Sequence, residues 1–353
     1  MRLLLATDAW HPQVNGVVTT LTQVVNGLRN QGHEVEVIGA GDYPSIPLPS
    51  YPEIKVSVWL KGLKQRIEDF APDAIHIATE GPIGQLVRKH CLAQGYVFTT
   101  SFHTRFPEYI RERMPVPLSW TYPFVRKFHM QAFRTLAPTQ ALVDELKQWD
   151  FKHLEVWGRG VDTDLFAPDK KVDLGLEGPV MVNVGRVAPE KNIEAFLDVD
   201  LPGTKIVVGD GPILKDLKAR YPNVHFPGVK KGVELAQYFA AADVFVFPSK
   251  TDTFGLVMLE ANACGTPVAA YPVTGPIDVL EQGVTGVMDE DLSDAIKQAL
   301  ELDREDCREK ALQRSWPIIV NQFLQALMPL NSEKTSDMVI AQAASEKNEL
   351  VSA

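Results

Sequence analysis

The sequence predicts an α/β protein with two domains in tandem, each built on a parallel sheet. Short apolar runs such as Leu3–Ala6 and Val180–Val184 have the length of buried strands, and segments with helical periodicity separate them. Strands that alternate with helices indicate parallel pairing, because parallel neighbours need a crossover connection. A length of 353 residues exceeds what one hydrophobic core normally organises, which favours two domains.

The first half of the chain begins with a βαβ unit. Apolar residues recur at helical spacing from Val17 to Leu28, and Gly32 marks the end of that helix. Prolines between Pro115 and Pro123 interrupt the pattern before an aromatic-rich helix. The predicted strands are Leu3–Ala6, Val35–Ile38, Ile54–Val58, Ile75–Ile77 and Val97–Thr100, with helices at about Lys61–Phe70 and from Pro82.

The second half repeats the strand–helix alternation after a Gly-rich, polar linker at Gly158–Pro168. Helices are predicted at Gly232–Ala240 and after Asp291. Periodicity is lost after about Asn331, which predicts a mobile tail. The predicted strands are Val180–Val184, Lys205–Val208, Val224–Phe226, Val244–Phe247 and Val268–Ala270.

Composition indicates a cytoplasmic globular protein. Apolar residues make up 45% and charged residues 23% of the chain. No apolar run reaches the ~20 residues that span a bilayer, and Asp8 comes too early for a signal peptide. The three cysteines lack C-x-x-C spacing, so we expect reduced thiols.

The net charge of −10 is unevenly distributed. Residues 1–165 carry 17 of the 35 Lys and Arg and 17 of the 45 Asp and Glu, so the acidic excess lies in the second half. The segment from Arg105 to Arg134 carries six basic residues and only two acidic ones. This segment is either a surface for the anionic inner face of a membrane or an ordinary solvated helix face. We expect no nucleic-acid partner.

A ligand site is predicted where the strand Val244–Phe247 runs through a polar loop into a helix that begins near Gly255. A helix start presents unpaired N–H groups and a positive dipole end, which favours an anion such as phosphate. Asp252 and Glu260 are eight residues apart, and if the helix includes both, their carboxylates can address one ligand. Phosphate-binding and hydroxyl-binding groups together suggest a nucleotide sugar.

Five segments occur in an order and at separations that resemble a known family. They are SFHTRFPEY from Ser101, GVDTDLF from Gly160, VGRVAPEKN from Val184, GDGP from Gly209 and TDTFGLVMLEANACGTPV from Thr251. Over roughly residues 1–330 the chain resembles the family-4 (group 1) retaining glycosyltransferases of GT-B fold. The segments DAWHPQVNGV and SFHTRFPEY are most similar to those of bacterial enzymes that glycosylate lipids such as diacylglycerol, or that transfer mannose.

The resemblance implies two facing Rossmann-like domains with the donor mostly held by the C-terminal one. It places the N-terminal, acceptor-side domain at residues 1–165 and the nucleotide-sugar domain at 166–313. A crossover helix at 314–330 would pack back on the first domain, and 331–353 would form the tail.

The resemblance also implies a reaction centre comprising His103, Arg186, Lys191 and Asp252. The two bases would hold the donor diphosphate, whose negative charge grows as the glycosidic bond breaks. Asp252 stands where the family has Glu and would contact the sugar hydroxyls, while Glu260 would contact the ribose. Asp252 could also be a helix N-cap.

Other positions carry weaker implications. Gly16, preceded by Asn15, would let backbone approach the diphosphate, and Asp8, Glu80 and Arg105 are acceptor-side candidates. The remaining donor-binding candidates are Gly185, Gly209, Asp210, Thr253, Phe254 and Gly255.

No metal or cofactor is expected besides the co-substrate. Two D-x-D tripeptides, at Asp162–Asp164 and Asp198–Asp200, match a metal-binding pattern of another glycosyltransferase fold, but neither follows a predicted core strand. Basic side chains and a helix start already supply positive charge to the diphosphate.

The expected activity is transfer of a hexose from a UDP- or GDP-sugar to an acceptor hydroxyl of a lipid or saccharide. The departing diphosphate would take the acceptor proton on the same face of the sugar. A nucleotide-sugar epimerase and a non-catalytic nucleotide-sugar-binding protein are the alternatives. The nucleobase, sugar, acceptor and oligomeric state are left open.

Overall fold

The computed structural model describes residues 1–13, 15–48, 51–57, 59–111, 116–252 and 254–330. The chain divides into two compact units. One contains Met1–Gly158 together with the segment that begins at Ile319, and the other contains Arg159–Ile318. The division thus lies at Gly158 and Arg159, within the predicted linker and before the 165/166 boundary inferred from the sequence.

The first unit has a six-stranded, all-parallel sheet in the order β2-β1-β5-β6-β7-β8. Strands β3 and β4 instead form a separate antiparallel ribbon. The strands are β1 (Arg2–Thr7), β2 (Glu34–Gly39), β3 (Ser45–Leu48), β4 (Tyr51–Ser57), β5 (Ala74–Ile77), β6 (Thr99–Ser101), β7 (Arg134–Ala137) and β8 (Leu154–Val156).

Helices connect these strands, and the first shows why such segments fold locally. The Asn15 side chain accepts hydrogen bonds from the N–H groups of Val17 and Val18, both at 3.0 Å, which caps the helix start. The helices are α1 (Gly16–Asn30), α2 (Leu63–Phe70), α3 (Pro82–Gln94), α4 (Phe106–Arg111), α5 (Leu118–His129) and α6 (Gln140–Gln148).

Two predictions for this unit are wrong. The strand predicted at Ile54–Val58 belongs to the antiparallel ribbon rather than to the parallel sheet, and Val58 lies outside the described residues. Pro123 does not delay the aromatic-rich helix, because α5 begins at Leu118 and contains that proline. Pro123 and Ser119 are both exposed, so the carbonyl that loses its helical hydrogen bond can be solvated.

The second unit also has a six-stranded parallel sheet, in the order β11-β10-β9-β12-β13-β14. Both faces are buried: Val182 packs into one apolar cluster and Met181 into another. The strands of this sheet are β9 (Val180–Val184), β10 (Thr204–Val208), β11 (His225–Gly228), β12 (Val244–Phe247), β13 (Val268–Ala270) and β14 (Gly286–Met288).

The helices of the second unit cover the two faces of its sheet. They are α7 (Ile193–Leu197), α8 (Leu214–Arg220), α9 (Gly232–Ala241), α10 (Leu256–Ala263), α11 (Pro276–Val279), α12 (Leu292–Ala299) and α13 (Arg304–Leu312). The predicted α/β class with two parallel-sheet domains is therefore confirmed.

The last described helix, α14 (Trp316–Ala326), begins in the second unit and continues in the first. The Phe323 ring packs edge-on against buried His76, with 4.8 Å between ring centroids. Trp157 Nε1 donates to the Ile319 carbonyl at 3.1 Å. Residues 331–353, where the mobile tail was predicted, lie outside the described part of the chain.

Strand order gives each sheet one topological switch point. In the first sheet β1 lies between β2 and β5, and in the second β9 lies between β10 and β12. Ligands of open α/β sheets bind beyond the carboxyl ends of the strands at such a point. The loops after β9 and β12 therefore form the first place to look for a site in the second unit.

Candidate functional site

The loop after β9 carries two basic side chains at the switch point of the second sheet. Arg186 follows Gly185 at the strand end and is 68% exposed, with its ion-pair partner Glu190 at a loose 3.9 Å. Lys191 closes a short 3₁₀ turn and is largely covered. The Arg186 guanidinium is therefore available to an anionic ligand.

The loop after β12 is tied to the loop after β9. Lys191 Nζ lies 2.6 Å from Asp252 Oδ1, although the two residues are 61 positions apart. Asn192 Nδ2 donates to the Pro248 carbonyl at 3.0 Å. The two motifs that the sequence singled out separately therefore build one site.

The second oxygen of Asp252 has a different environment. Oδ2 is buried and has no hydrogen-bond partner among the described residues. An unpaired buried carboxylate oxygen is costly, so it favours any ligand that brings a hydroxyl donor to it. A hydroxyl at this position would leave the Lys191 contact to Oδ1 in place.

Asp252 does not belong to helix α10. The helix starts after its N-cap Gly255, as predicted, and Asp252 lies in the preceding loop, so the condition that one helix includes both carboxylates is not met. The alternative interpretation of Asp252 as the N-cap is wrong for the same reason. Tertiary pairing with Lys191, rather than helical spacing, fixes this carboxylate.

Gly255 opens α10 in a conformation that only glycine adopts readily. Its φ is +81°, and a Cβ there would lie 2.7 Å from Met258 Cε and 3.0 Å from Phe247 Cζ. No side chain caps the helix within the described residues, so the first-turn N–H groups stay available for an anion. Phe254 precedes Gly255 and is part-exposed, while Thr253 lies outside the described residues.

Glu260 lies on α10 and is part-buried. Desolvation raises the pKa of its carboxyl to about 7. Among the described residues, none forms a hydrogen bond or an ion pair with its carboxylate. Hydroxyl donors from a ligand would stabilise the charged form of this desolvated carboxylate.

The strand-end turn after β10 supports the loop after β9. Gly209 packs against the Gly185 carbonyl so closely that a Cβ would collide with it. The Asp210 carbonyl accepts from Val187 N at 2.9 Å, and its carboxylate accepts from Gly211 N at 2.7 Å. These contacts show a packing role for both predicted residues, and a donor contact stays a prediction.

In the first unit, Asp8 lies at the end of β1 beside the start of α3. Its carboxylate accepts from Ile83 N at 3.0 Å, Gly84 N at 3.3 Å and Thr79 Oγ1 at 2.9 Å. Burial raises the pKa of Asp8, although these hydrogen bonds oppose the shift. The carboxylate thus fastens α3 to β1, and its acceptor role stays a prediction.

Glu80 lies at the same switch point, beyond β5. Its Oε1 is 3.1 Å from His129 Nε2, and His129 Nδ1 is 2.9 Å from Thr100 Oγ1. The His129 side chain is 1% exposed and the Glu80 side chain 10%. His129 is a residue that the sequence analysis missed, because 49 positions separate it from Glu80 and no local pattern links them.

The other first-unit candidates are placed as follows. Arg105 pairs with Glu145, with 2.8 Å between guanidinium and carboxylate. His103 follows β6, and its ring packs edge-on to Trp157 at 6.0 Å between centroids. Gly16 begins α1 directly after the Asn15 cap.

Neither D-x-D tripeptide is arranged as a metal site. Asp162 Oδ1 accepts from the N–H groups of Asp164 and Leu165, and Asp198 Oδ1 accepts from the Tyr221 hydroxyl. In the part of the chain that the structure describes, no group of three or more His, Cys, Asp or Glu side chains is placed to hold a metal ion.

Comparison with known protein families gives a match to each of the two units. Residues 14–165 match the family described as Glycosyltransferase Family 4, and residues 178–302 match Glycosyl transferases group 1. The chain is a family-4 glycosyltransferase. This confirms the resemblance seen in the sequence, and the enzyme class with it.

Two similar proteins align with most of the length of the glycosyltransferase. It is 27% identical to the GDP-mannose-dependent alpha-mannosyltransferase of Corynebacterium glutamicum, over 92% of this chain and 88% of that protein. It is 28% identical to the alpha-monoglucosyldiacylglycerol synthase of Streptococcus pneumoniae, over 85% and 78% respectively.

A solved structure supports the fold of the glycosyltransferase. Sucrose-phosphate synthase from Thermosynechococcus elongatus superimposes with a TM-score of 0.71 at 20% identity, covering 92% of this chain and 97% of that one. The fold is GT-B, as the resemblance implied.

Proposed function

We propose that this glycosyltransferase transfers a hexose, with retention of configuration, from a UDP- or GDP-sugar to a hydroxyl of a lipid such as diacylglycerol. One observation carries the donor assignment: Arg186, the Lys191–Asp252 pair and the start of α10 lie together at the switch point of the second sheet. This arrangement combines positive charge for a diphosphate with a carboxylate oxygen that has no partner among the described residues and can accept from a sugar hydroxyl.

The proposed chemistry uses the donor's own phosphate as the base. The bond from the anomeric carbon to the diphosphate oxygen breaks, and the diphosphate keeps the electron pair. The acceptor oxygen bonds to the anomeric carbon on the same face, and its proton passes to a phosphate oxygen. Arg186 and Lys191 stabilise the charge that develops on the leaving group, and they do so most in the transition state.

Metal independence is part of the proposal. Two cationic side chains and the N-terminal N–H groups of α10 supply the charge stabilisation that a divalent ion would otherwise provide. Glu260 is assigned to the ribose hydroxyls, and His103 to the donor sugar.

The lipid acceptor is supported by a relative whose name specifies a diacylglycerol product. The alpha-monoglucosyldiacylglycerol synthase of Streptococcus pneumoniae aligns over most of both chains. None of the helices in the described ranges is long and apolar enough to cross a bilayer. On the strength of that similarity, we propose that the enzyme reaches a lipid substrate by peripheral association with the inner face of the membrane.

Thermal unfolding with GDP, UDP, ADP and NAD, each with and without EDTA, tests the donor assignment. We expect a clear upward shift in Tm with GDP or UDP that EDTA does not change, because a ligand that binds only the folded state stabilises it. ADP and NAD are the matched controls. A shift with NAD alone, or one that EDTA abolishes, would contradict the proposal. The nucleotide that binds selects the sugar donors for an assay with diacylglycerol, and NMR of the product gives the anomeric configuration.

Gly16 provides a separate test in the first unit. A Cβ at Gly16 would meet nothing within 4 Å, and its backbone is not in the left-handed region, so packing does not explain the glycine. We expect Gly16→Ala to keep its Tm but lose about tenfold or more in turnover, because the added methyl obstructs close approach of the donor. Gly27→Ala is the matched control: its Cβ would lie 2.7 Å from Val320 Cγ2, so stability falls. Unchanged turnover in Gly16→Ala would remove Gly16 from the donor site.

A further inference from the structure

Helix α5 exposes an aromatic face that no described element covers. Trp120 is 74% exposed and Phe124 is 69% exposed. The two residues are four positions apart, so they lie on one side of the helix. Met130 follows just beyond the helix end and is 40% exposed. Most large apolar side chains in this unit are buried, so paired exposed aromatics on one helix need an explanation.

The charge on this helix has a single sign. Arg126 and Lys127 lie in its last turn, and Lys127 is exposed near Phe124 on the same side. The sequence from Val116 to Arg134 contains no Asp or Glu. Trp and Phe next to a basic residue, with no acidic residue on the helix, are typical of helices that lie in the interface of an anionic bilayer.

The opposite side of α5 is firmly held, so the aromatic face belongs to an ordered helix. Tyr122, Val125 and Phe128 are buried in the first unit. Arg88 Nε donates to the Phe128 carbonyl at 3.0 Å, and Arg88 also donates to the Lys127 carbonyl at 2.9 Å, which satisfies the helix end.

The helix also connects this face to the carboxyl edge of the sheet. Its last residue, His129, contacts Glu80 at the switch point between β1 and β5. A surface that docks through Trp120 and Phe124 is thus joined, by one short helix, to a carboxylate beside the strand ends.

We propose that the α5 face, comprising Trp120, Phe124 and Lys127, docks the enzyme on an anionic lipid bilayer. The aromatic rings enter the interfacial region while Lys127 remains at the level of the anionic headgroups. The proposal deepens the assignment of a lipid acceptor and rests on it for its biological purpose. The docking surface itself is physically independent of the donor site.

Flotation with vesicles tests the surface directly. The full chain is mixed with vesicles of phosphatidylglycerol and phosphatidylcholine in equal parts, or of phosphatidylcholine alone, at low and high salt. We expect wild-type protein to float with the anionic vesicles at low salt. The double variant with Trp120→Ser and Phe124→Ser should have a partition coefficient about tenfold or more below that of wild type at both salt concentrations. Lys127→Glu should lower it mainly at low salt, because salt screens the charge term.

Trp59→Ser is the matched control, since Trp59 is 65% exposed in the same unit but lies outside α5. We expect it to float like wild type. Equal losses from Trp59→Ser, unchanged flotation of the α5 double variant, or no flotation of wild type at low salt would each overturn the proposal. Gel filtration that shows a dimer dispersed by the α5 substitutions would instead assign the face to a second copy of the chain.

Failure of the docking surface and failure of the proposed function are distinguishable. The Tm shift caused by GDP or UDP should be the same in the α5 double variant as in wild type, because none of the residues assigned to the donor lies on α5. Conversely, a variant with Arg186→Ala and Lys191→Ala should float normally. If the α5 double variant no longer floats but keeps the Tm shift caused by GDP or UDP, the loss is due to the α5 face alone.

Discussion

Replacing both Arg186 and Lys191 with Ala should abolish glycosyl transfer. In the proposed site each base makes a charge-assisted contact to the leaving diphosphate, and removal of one such contact typically costs about 10²–10³ in kcat. The two losses together should bring turnover below detection, measured as nucleotide released from the sugar donor that the binding screen selects. The single variants separate the contributions, since Lys191→Ala also leaves the Asp252 carboxylate without its ion-pair partner.

The fold should survive this double substitution. Arg186 is mostly exposed and its ion pair is loose, so its loss should cost little stability. Lys215→Ala with Lys218→Ala is the matched control, because it removes two exposed bases from α8 in the same unit. The control should keep full activity. Near-normal turnover in the Arg186 and Lys191 double variant, with a normal Tm, would refute the phosphate assignment.

Glu260→Gln should stabilise the protein at alkaline pH while weakening nucleotide binding. The pKa of Glu260 is raised from 4.5 in the unfolded chain to about 7 in the folded one. Folding therefore bears no penalty from this group below about pH 4.5, and the penalty grows as the pH rises from 4.5 to about 7 and is constant above that. A shift of that size corresponds to about 3 kcal/mol at most when the carboxylate is ionised. Gln removes the penalty because it carries no charge.

The measurement is Tm of wild type and Glu260→Gln between pH 4.5 and 8.5. The two Tm values should coincide near pH 4.5, and the Tm of the variant should exceed that of wild type by several degrees at pH 8 and above. Glu309→Gln, an exposed substitution on α13, is the control and should leave the pH dependence unchanged. A Tm difference that is constant across this range would show that Glu260 titrates normally.

The nucleotide affinity of the wild-type enzyme should rise with pH, whereas its stability should fall. In the proposed site a ribose hydroxyl donates to the ionised carboxylate of Glu260, so binding is expected to favour the charged form and to strengthen as the pH rises toward 7. Isothermal titration of GDP or UDP at several pH values measures this. In Glu260→Gln the part of the pH dependence due to this carboxylate should disappear, leaving only that of the nucleotide's phosphates. Persistence of the full wild-type dependence in the variant would exclude Glu260 from the ribose site.

Predictability of the fold depended on where a strand lies in its sheet. Val180–Val184 and Val244–Phe247 were predicted with the bounds that the structure has, because central parallel strands are continuous apolar runs. The short edge strands β8 and β14 were not predicted, since runs of only three residues give little periodic signal. The β3–β4 ribbon was partly missed for another reason: its antiparallel pairing is not encoded in the βα alternation.

The sequence by itself determined the two-domain α/β architecture, the family and the loops that carry the donor motifs. These depend on local apolar patterns and on motif spacing, which are visible along the chain. Only the tertiary structure decided that Asp252 pairs with Lys191 outside α10, that His129 contacts Glu80, and that Glu260 has a raised pKa. Hydrogen bonds and desolvation act through space, between side chains that the parallel sheets bring together from distant parts of the chain.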